Sequence, residues 1–61
     1  MNLRDIHPEA KIGNNVVIGA FTTIEDDVVI GDNCWIGPNV TIFKGARIGN
    51  NCQIFPGAVI S

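Results

Sequence analysis

Tyrosine is absent from the 61-residue chain, and histidine, methionine and tryptophan occur once each. Only Phe21, Trp35, Phe43 and Phe55 are aromatic, so a packed interior has to be aliphatic. Cys34 and Cys52 are the two cysteines, with neither the CxxC spacing of a redox or zinc site nor the density of a disulfide scaffold. Four bases against six acids give a net charge of −2 with no basic cluster, which excludes an electrostatic footprint for nucleic acid or anionic lipid. No apolar run approaches the roughly 18 residues that span a bilayer, and residues 1–5 lack the order of a secretory signal, so a cytoplasmic location is expected. The length allows one small domain, since independent domains usually run to about 100–150 residues. At 46% hydrophobic, the chain is too apolar to be disordered.

What the sequence does contain is a period of six. Isoleucine stands at 6, 12, 18, 24, 30, 36, 42, 48, 54 and 60 without a miss. The fifth place of each hexad is also restricted to small or medium residues: Ala10, Val16, Thr22, Val28, Cys34, Val40, Ala46, Cys52 and Ala58. Side chains alternate faces along a strand, so Val16 and Ile18 share one face and Val17 takes the other. Each hexad therefore predicts one short strand with its first and fifth places inward.

The third and fourth places are turn dipeptides, among them Asn14-Asn15, Asp32-Asn33, Pro38-Asn39, Lys44-Gly45 and Pro56-Gly57. Proline presets φ in the range a turn needs, and Gly, Asn or Asp at the next position tolerates a positive φ, which is the type II pattern. Glu9 and Phe21 fit it worst. Hexads three apart are the most alike, as IGNNVV, IGDNCW and IGNNCQ show. Three hexads then complete one coil, and residues 6–59 make three coils of a triangular prism. Parallel strands about 4.8 Å apart would place Ile6/Ile24/Ile42/Ile60, Ile12/Ile30/Ile48 and Ile18/Ile36/Ile54 in three columns.

The repeat resembles the bacterial hexapeptide repeat, whose fold is the left-handed parallel β-helix. Handedness comes from that resemblance alone, because the right-handed crossover rule taken by itself gives the opposite hand. Within the superfamily the chain looks like the N-terminal coils of the UDP-N-acetylglucosamine O-acyltransferases of lipid A synthesis. The carrying runs are IHPEAKIG at Ile6–Gly13, VIGDNCWIGPNVTI at Val29–Ile42 and GARIGNNCQIFPGAVIS at Gly45–Ser61. The resemblance implies a homotrimer in which an imidazole deprotonates the sugar 3-hydroxyl, which attacks an acyl-carrier-protein thioester. The family's catalytic and substrate-holding residues lie in later coils. No catalytic, cofactor or metal residue is therefore assigned within residues 1–61, and no cofactor is expected.

The chain reads as a lead-in at 1–5 and a single β-helix segment at 6–61. Ile60 begins a fourth coil, which leads to the expectation of an N-terminal part of a longer helix or an obligate oligomer. Such a scaffold is expected to give no turnover by itself. Alternatives are another hexapeptide-repeat sugar acyltransferase or acetyltransferase, a γ-class carbonic anhydrase, and a non-enzymatic assembly module. The anhydrase needs three histidines where this chain offers His7. An ice-binding face needs Thr rows where only Thr23 and Thr41 stack and Val59 interrupts them.

His7 is expected at the surface, since one imidazole and two core thiols do not make a zinc site. Cys34 and Cys52 stack as two buried reduced thiols whose parallel Cβ vectors suit a disulfide poorly. Glu25, Asp26, Asp27 and Asp32 fall at solvated corners. Asn15, Asn33 and Asn51 form a column of positive-φ positions whose amides can stack in a ladder. None of the four aromatics takes an inward place, which points to a partner surface, most simply a trimer interface.

Overall fold

The computed structural model describes residues 4–61 and contains strands and turns throughout. Residues 1–3 of the expected lead-in lie outside the described residues. Ten short strands follow one another: β1 (Arg4–Ile6), β2 (Lys11–Ile12), β3 (Val17–Ile18), β4 (Thr22–Ile24), β5 (Val29–Ile30), β6 (Trp35–Ile36), β7 (Thr41–Ile42), β8 (Arg47–Ile48), β9 (Gln53–Ile54) and β10 (Val59–Ile60). Each ends on a hexad isoleucine. They form three parallel sheets, β1-β4-β7-β10, β2-β5-β8 and β3-β6-β9. The molecule is a β-solenoid of three coils.

Pairing is in register between hexads three apart, with Ile6 beside Ile24, Ile24 beside Ile42 and Ile42 beside Ile60. Ile12, Ile30 and Ile48 form the second column, and Ile18, Ile36 and Ile54 the third. The three columns converge on the axis with the fifth-place residues between them. Ile24, Ile30, Ile36 and Ile42 are fully buried together with Val28, Val40, Cys34 and Thr22. Ile12, Ile18 and Ile48, on the outer coils, are half-buried. The middle coil therefore supplies most of the hydrophobic stabilisation, at about 1.5–3 kcal/mol for each fully buried isoleucine. Thr22 places a hydroxyl in this interior and satisfies it by donating from Oγ1 to the Gly37 carbonyl at 2.9 Å.

The corners follow the turn chemistry with one exception. φ is positive at Asn15, Phe21, Asp27, Asn33, Asn39, Gly45, Asn51 and Gly57, all fourth places. Glu9 is the exception, and its corner is closed by Ala10 N–H donating to the His7 carbonyl at 3.0 Å. Phe21 takes φ 59° although a bulky side chain is disfavoured there. Phe21→Asn should therefore stabilise the fold by about 1 kcal/mol, raising the melting temperature by about 4–8 °C in a domain of this size. Thermal unfolding followed by circular dichroism checks this, and an unchanged or lower midpoint would mean that the ring contributes packing that outweighs the strain.

Candidate functional site

The outward sixth-place side chains give the three faces different chemistry. The β2-β5-β8 face carries Lys11, Val29 and Arg47 in register. The β1-β4-β7-β10 face carries Asp5, Thr23, Thr41 and Val59. The β3-β6-β9 face carries Val17, Trp35 and Gln53. Its three hexads, residues 16–21, 34–39 and 52–57, contain no charged residue, so every acid and base of the chain lies elsewhere.

On this uncharged face Trp35 is the central side chain and is 39% exposed. Val17 sits beside it, and Phe21 and Phe55 stand at the adjoining corner, 64% and 68% exposed. Depletion of charge around exposed aromatic rings is the composition found at the buried centre of protein interfaces. Phe43 lies apart, following β7 at a different corner, so the four aromatics do not form one patch.

The remaining singled-out residues serve the corners. His7 Nδ1 accepts a hydrogen bond from Glu9 N–H at 3.1 Å, which commits one ring nitrogen to the turn. Cys34 is buried and free, its thiol 3.1 Å from the Gly49 carbonyl that accepts from it. Cys52 is free but half-buried rather than buried, because the third coil has a neighbour on one side only. Among the described residues no three His, Cys, Asp or Glu side chains gather as a metal-binding group. No helix in them is long and apolar enough to cross a membrane.

The acids are more engaged than solvated corners imply. Asp27 pairs with Arg47 at 3.0 Å, and Arg47 also donates to the Asp27 carbonyl. Asp26 lies 3.7 Å from Lys44 Nζ, and Glu25 Oε1 accepts from Lys44 N–H at 3.2 Å. These are exposed contacts between coils, and each ion pair adds only about 0–1 kcal/mol.

A side-chain ladder exists, one place earlier than expected. Asp32 Oδ1 accepts from Asn14 N–H at 2.8 Å, and Asn50 Oδ1 accepts from Asp32 N–H at 2.7 Å. The Asn15/Asn33/Asn51 column instead bonds through its backbone, with Asn33 N–H donating to the Asn14 carbonyl and Asn51 N–H to the Asp32 carbonyl. Once φ is positive at the fourth place, the backbone amide there points toward the neighbouring coil. The third-place side chain is then the one that reaches the neighbouring amide. The repeated N-D-N at 14, 32 and 50 carried this signal.

The hexad repeat that builds this framework also matches a known family. Residues 9–44, six hexad lengths and more than half of the chain, match the family model described as bacterial transferase hexapeptide (six repeats). Comparison with curated proteins and with solved structures gives no match. With ten strands stacked in register, three hexads to a coil, and this match across them, the chain belongs to the bacterial transferase hexapeptide family.

Proposed function

We propose that the chain supplies the N-terminal scaffold coils of a cytoplasmic, homotrimeric UDP-N-acetylglucosamine O-acyltransferase that takes its hydroxyacyl group from acyl carrier protein. In this reading the coil is left-handed, as in the family it resembles. The observation that carries the reading is the run Gly45–Ser61, which forms the third coil and is the most specific of the family-like stretches. The general base and the sugar and acyl sites belong to later coils, so residues 1–61 alone should show no turnover.

The test is a chimera in which residues 1–61 replace the corresponding coils of a UDP-N-acetylglucosamine O-acyltransferase. Retention of activity within about tenfold supports the reading. Loss of activity in a chimera that still folds and trimerises as the parent does would reduce the segment to an assembly module.

The uncharged β3-β6-β9 face supports the trimer. A standard interface covers about 800 Å² per partner, about one fifth of the chain's 3879 Å² of accessible surface. A buried tryptophan at the centre of such an interface contributes about 2 kcal/mol or more, so Trp35→Ser should weaken self-association by about 30-fold. Sedimentation equilibrium measures this, and an unchanged association constant would remove the face from the interface.

A further inference from the structure

We propose that Phe21 is an anchor of the lateral contact between copies of this chain, kept at its corner for a second copy rather than for its own fold; this role rests on the trimeric reading above. Among the described residues eight take a positive φ, and at seven of them the residue is Asn, Asp or Gly. Phe21 is the eighth, at φ 59°. The left-handed region is open to Gly and tolerated by Asn and Asp, but a bulky side chain is disfavoured there. Contacts within the chain do little to offset this, since Phe21 is 64% exposed. A disfavoured backbone whose side chain serves no interior packing points to a function for that side chain.

The position of Phe21 identifies the partner. Its corner borders the β3-β6-β9 face, and residues 19–22, 37–40 and 55–58, which form that corner on the three coils, include no charge. Asn39 stacks on Phe21 and donates its N–H to the Ala20 carbonyl at 3.0 Å, so the backbone that carries the ring is fixed to the middle coil. Of the ten charged residues, four basic and six acidic, seven fall in 7–11, 25–29 and 43–47. Those segments form the corner between the β1-β4-β7-β10 and β2-β5-β8 sheets, which in a three-sided tube lies opposite the β3-β6-β9 face. The cross-section is therefore charged at one vertex and neutral across from it.

A nucleic acid, or a strongly acidic or basic protein, would find no counter-charge on this neutral side. A second copy brings a surface that is equally neutral, so burial strips water from no unpaired charge on either partner. In a closed ring every copy gives and receives the same contacts, and one aromatic ring per chain then acts at each interface. The conformational cost is borne by the free chain, and the gain appears on association.

Phe21→Asn should accordingly move two readouts in opposite directions. At concentrations where the chain is monomeric its melting temperature rises, while the association constant from sedimentation equilibrium falls by about tenfold or more. A residue with only a structural role would change the first and leave the second. Phe21→Leu keeps an apolar side chain at the same φ, and should leave the monomer's melting temperature near the parent's and lose less association than Phe21→Asn. Asn39→Asp sets a charge beside the ring, at a fourth place where Asp27 shows that Asp accepts the conformation. It should keep the circular dichroism spectrum and also weaken association by about tenfold or more. If Phe21→Asn leaves the association constant unchanged while Trp35→Ser lowers it, the role of Phe21 is overturned and the trimeric reading stands. A lower melting temperature for monomeric Phe21→Asn would overturn it as well, because the ring would then be held by its own chain. A parent chain that stays monomeric across the whole concentration series overturns both.

Discussion

Gly19→Ala is expected to cost the protein about 2–3 kcal/mol, a large share of its stability. The added methyl carbon would stand 2.5 Å from the Pro38 nitrogen and 2.7 Å from the Gly37 carbonyl carbon, both backbone atoms of the next coil. Overpacking against flexible side chains is relieved by a rotamer change, whereas here the corner itself has to open, so the cost belongs at the upper end of the usual range of about 1–3 kcal/mol. A chain of this length has about 3–9 kcal/mol in all. The melting temperature should fall by about 10–20 °C. Gly49→Ala is the internal control, because its methyl group meets nothing. It should be neutral or raise stability by about 0.4–1 kcal/mol through the unfolded state. Urea unfolding of both variants checks the pair, and equal losses would mean that coil stacking is not what these glycines serve.

Ile36→Ala should be the most damaging of the isoleucine truncations. Ile36 is fully buried, at the middle of its column between Ile18 and Ile54. The coils above and below are held apart by their own hydrogen bonds, so the space cannot collapse, and the expected loss is about 2–5 kcal/mol. Ile36→Val should cost about 0.5–1.5 kcal/mol. Ile48→Ala lies in the third coil, where the side chain is already half-exposed, and should lose less than Ile36→Ala. The ordering, read from urea unfolding of the three variants, distinguishes a solenoid whose centre carries the stability from a structure in which all the isoleucines count alike.

The strands, their order and their register were legible in the isoleucines, because a strand alternates its faces and a spacing of six leaves one inward pair per strand. The three-hexad coil was legible in the likeness of IGNNVV, IGDNCW and IGNNCQ, which recur once per turn. The corners were legible where Asn, Asp or Gly stood at the fourth place. They were ambiguous at Phe21, where tertiary stacking imposes a positive φ against the preference of the residue, and at Glu9, where the first corner relaxes. The reason for the second-place glycines was not legible, since it arises only when one coil's backbone lies against the next. The Asp32 and Asn50 ladder was misplaced by one residue for the same reason. The uncharged face could be read only once the register had set Val17, Trp35 and Gln53 side by side. The chain's one imidazole, His7, lies at a turn, where its Nδ1 accepts from Glu9 N–H.

A three-hexad coil requires contacts between hexads three apart. Nuclear Overhauser contacts in isotope-labelled protein should link Thr23 to both Asp5 and Thr41, and Ile30 to both Ile12 and Ile48, with amide exchange slowest in the middle coil around Ile24 to Ile42. Contacts between successive hexads running antiparallel, or medium-range helical contacts through the isoleucines, would contradict it.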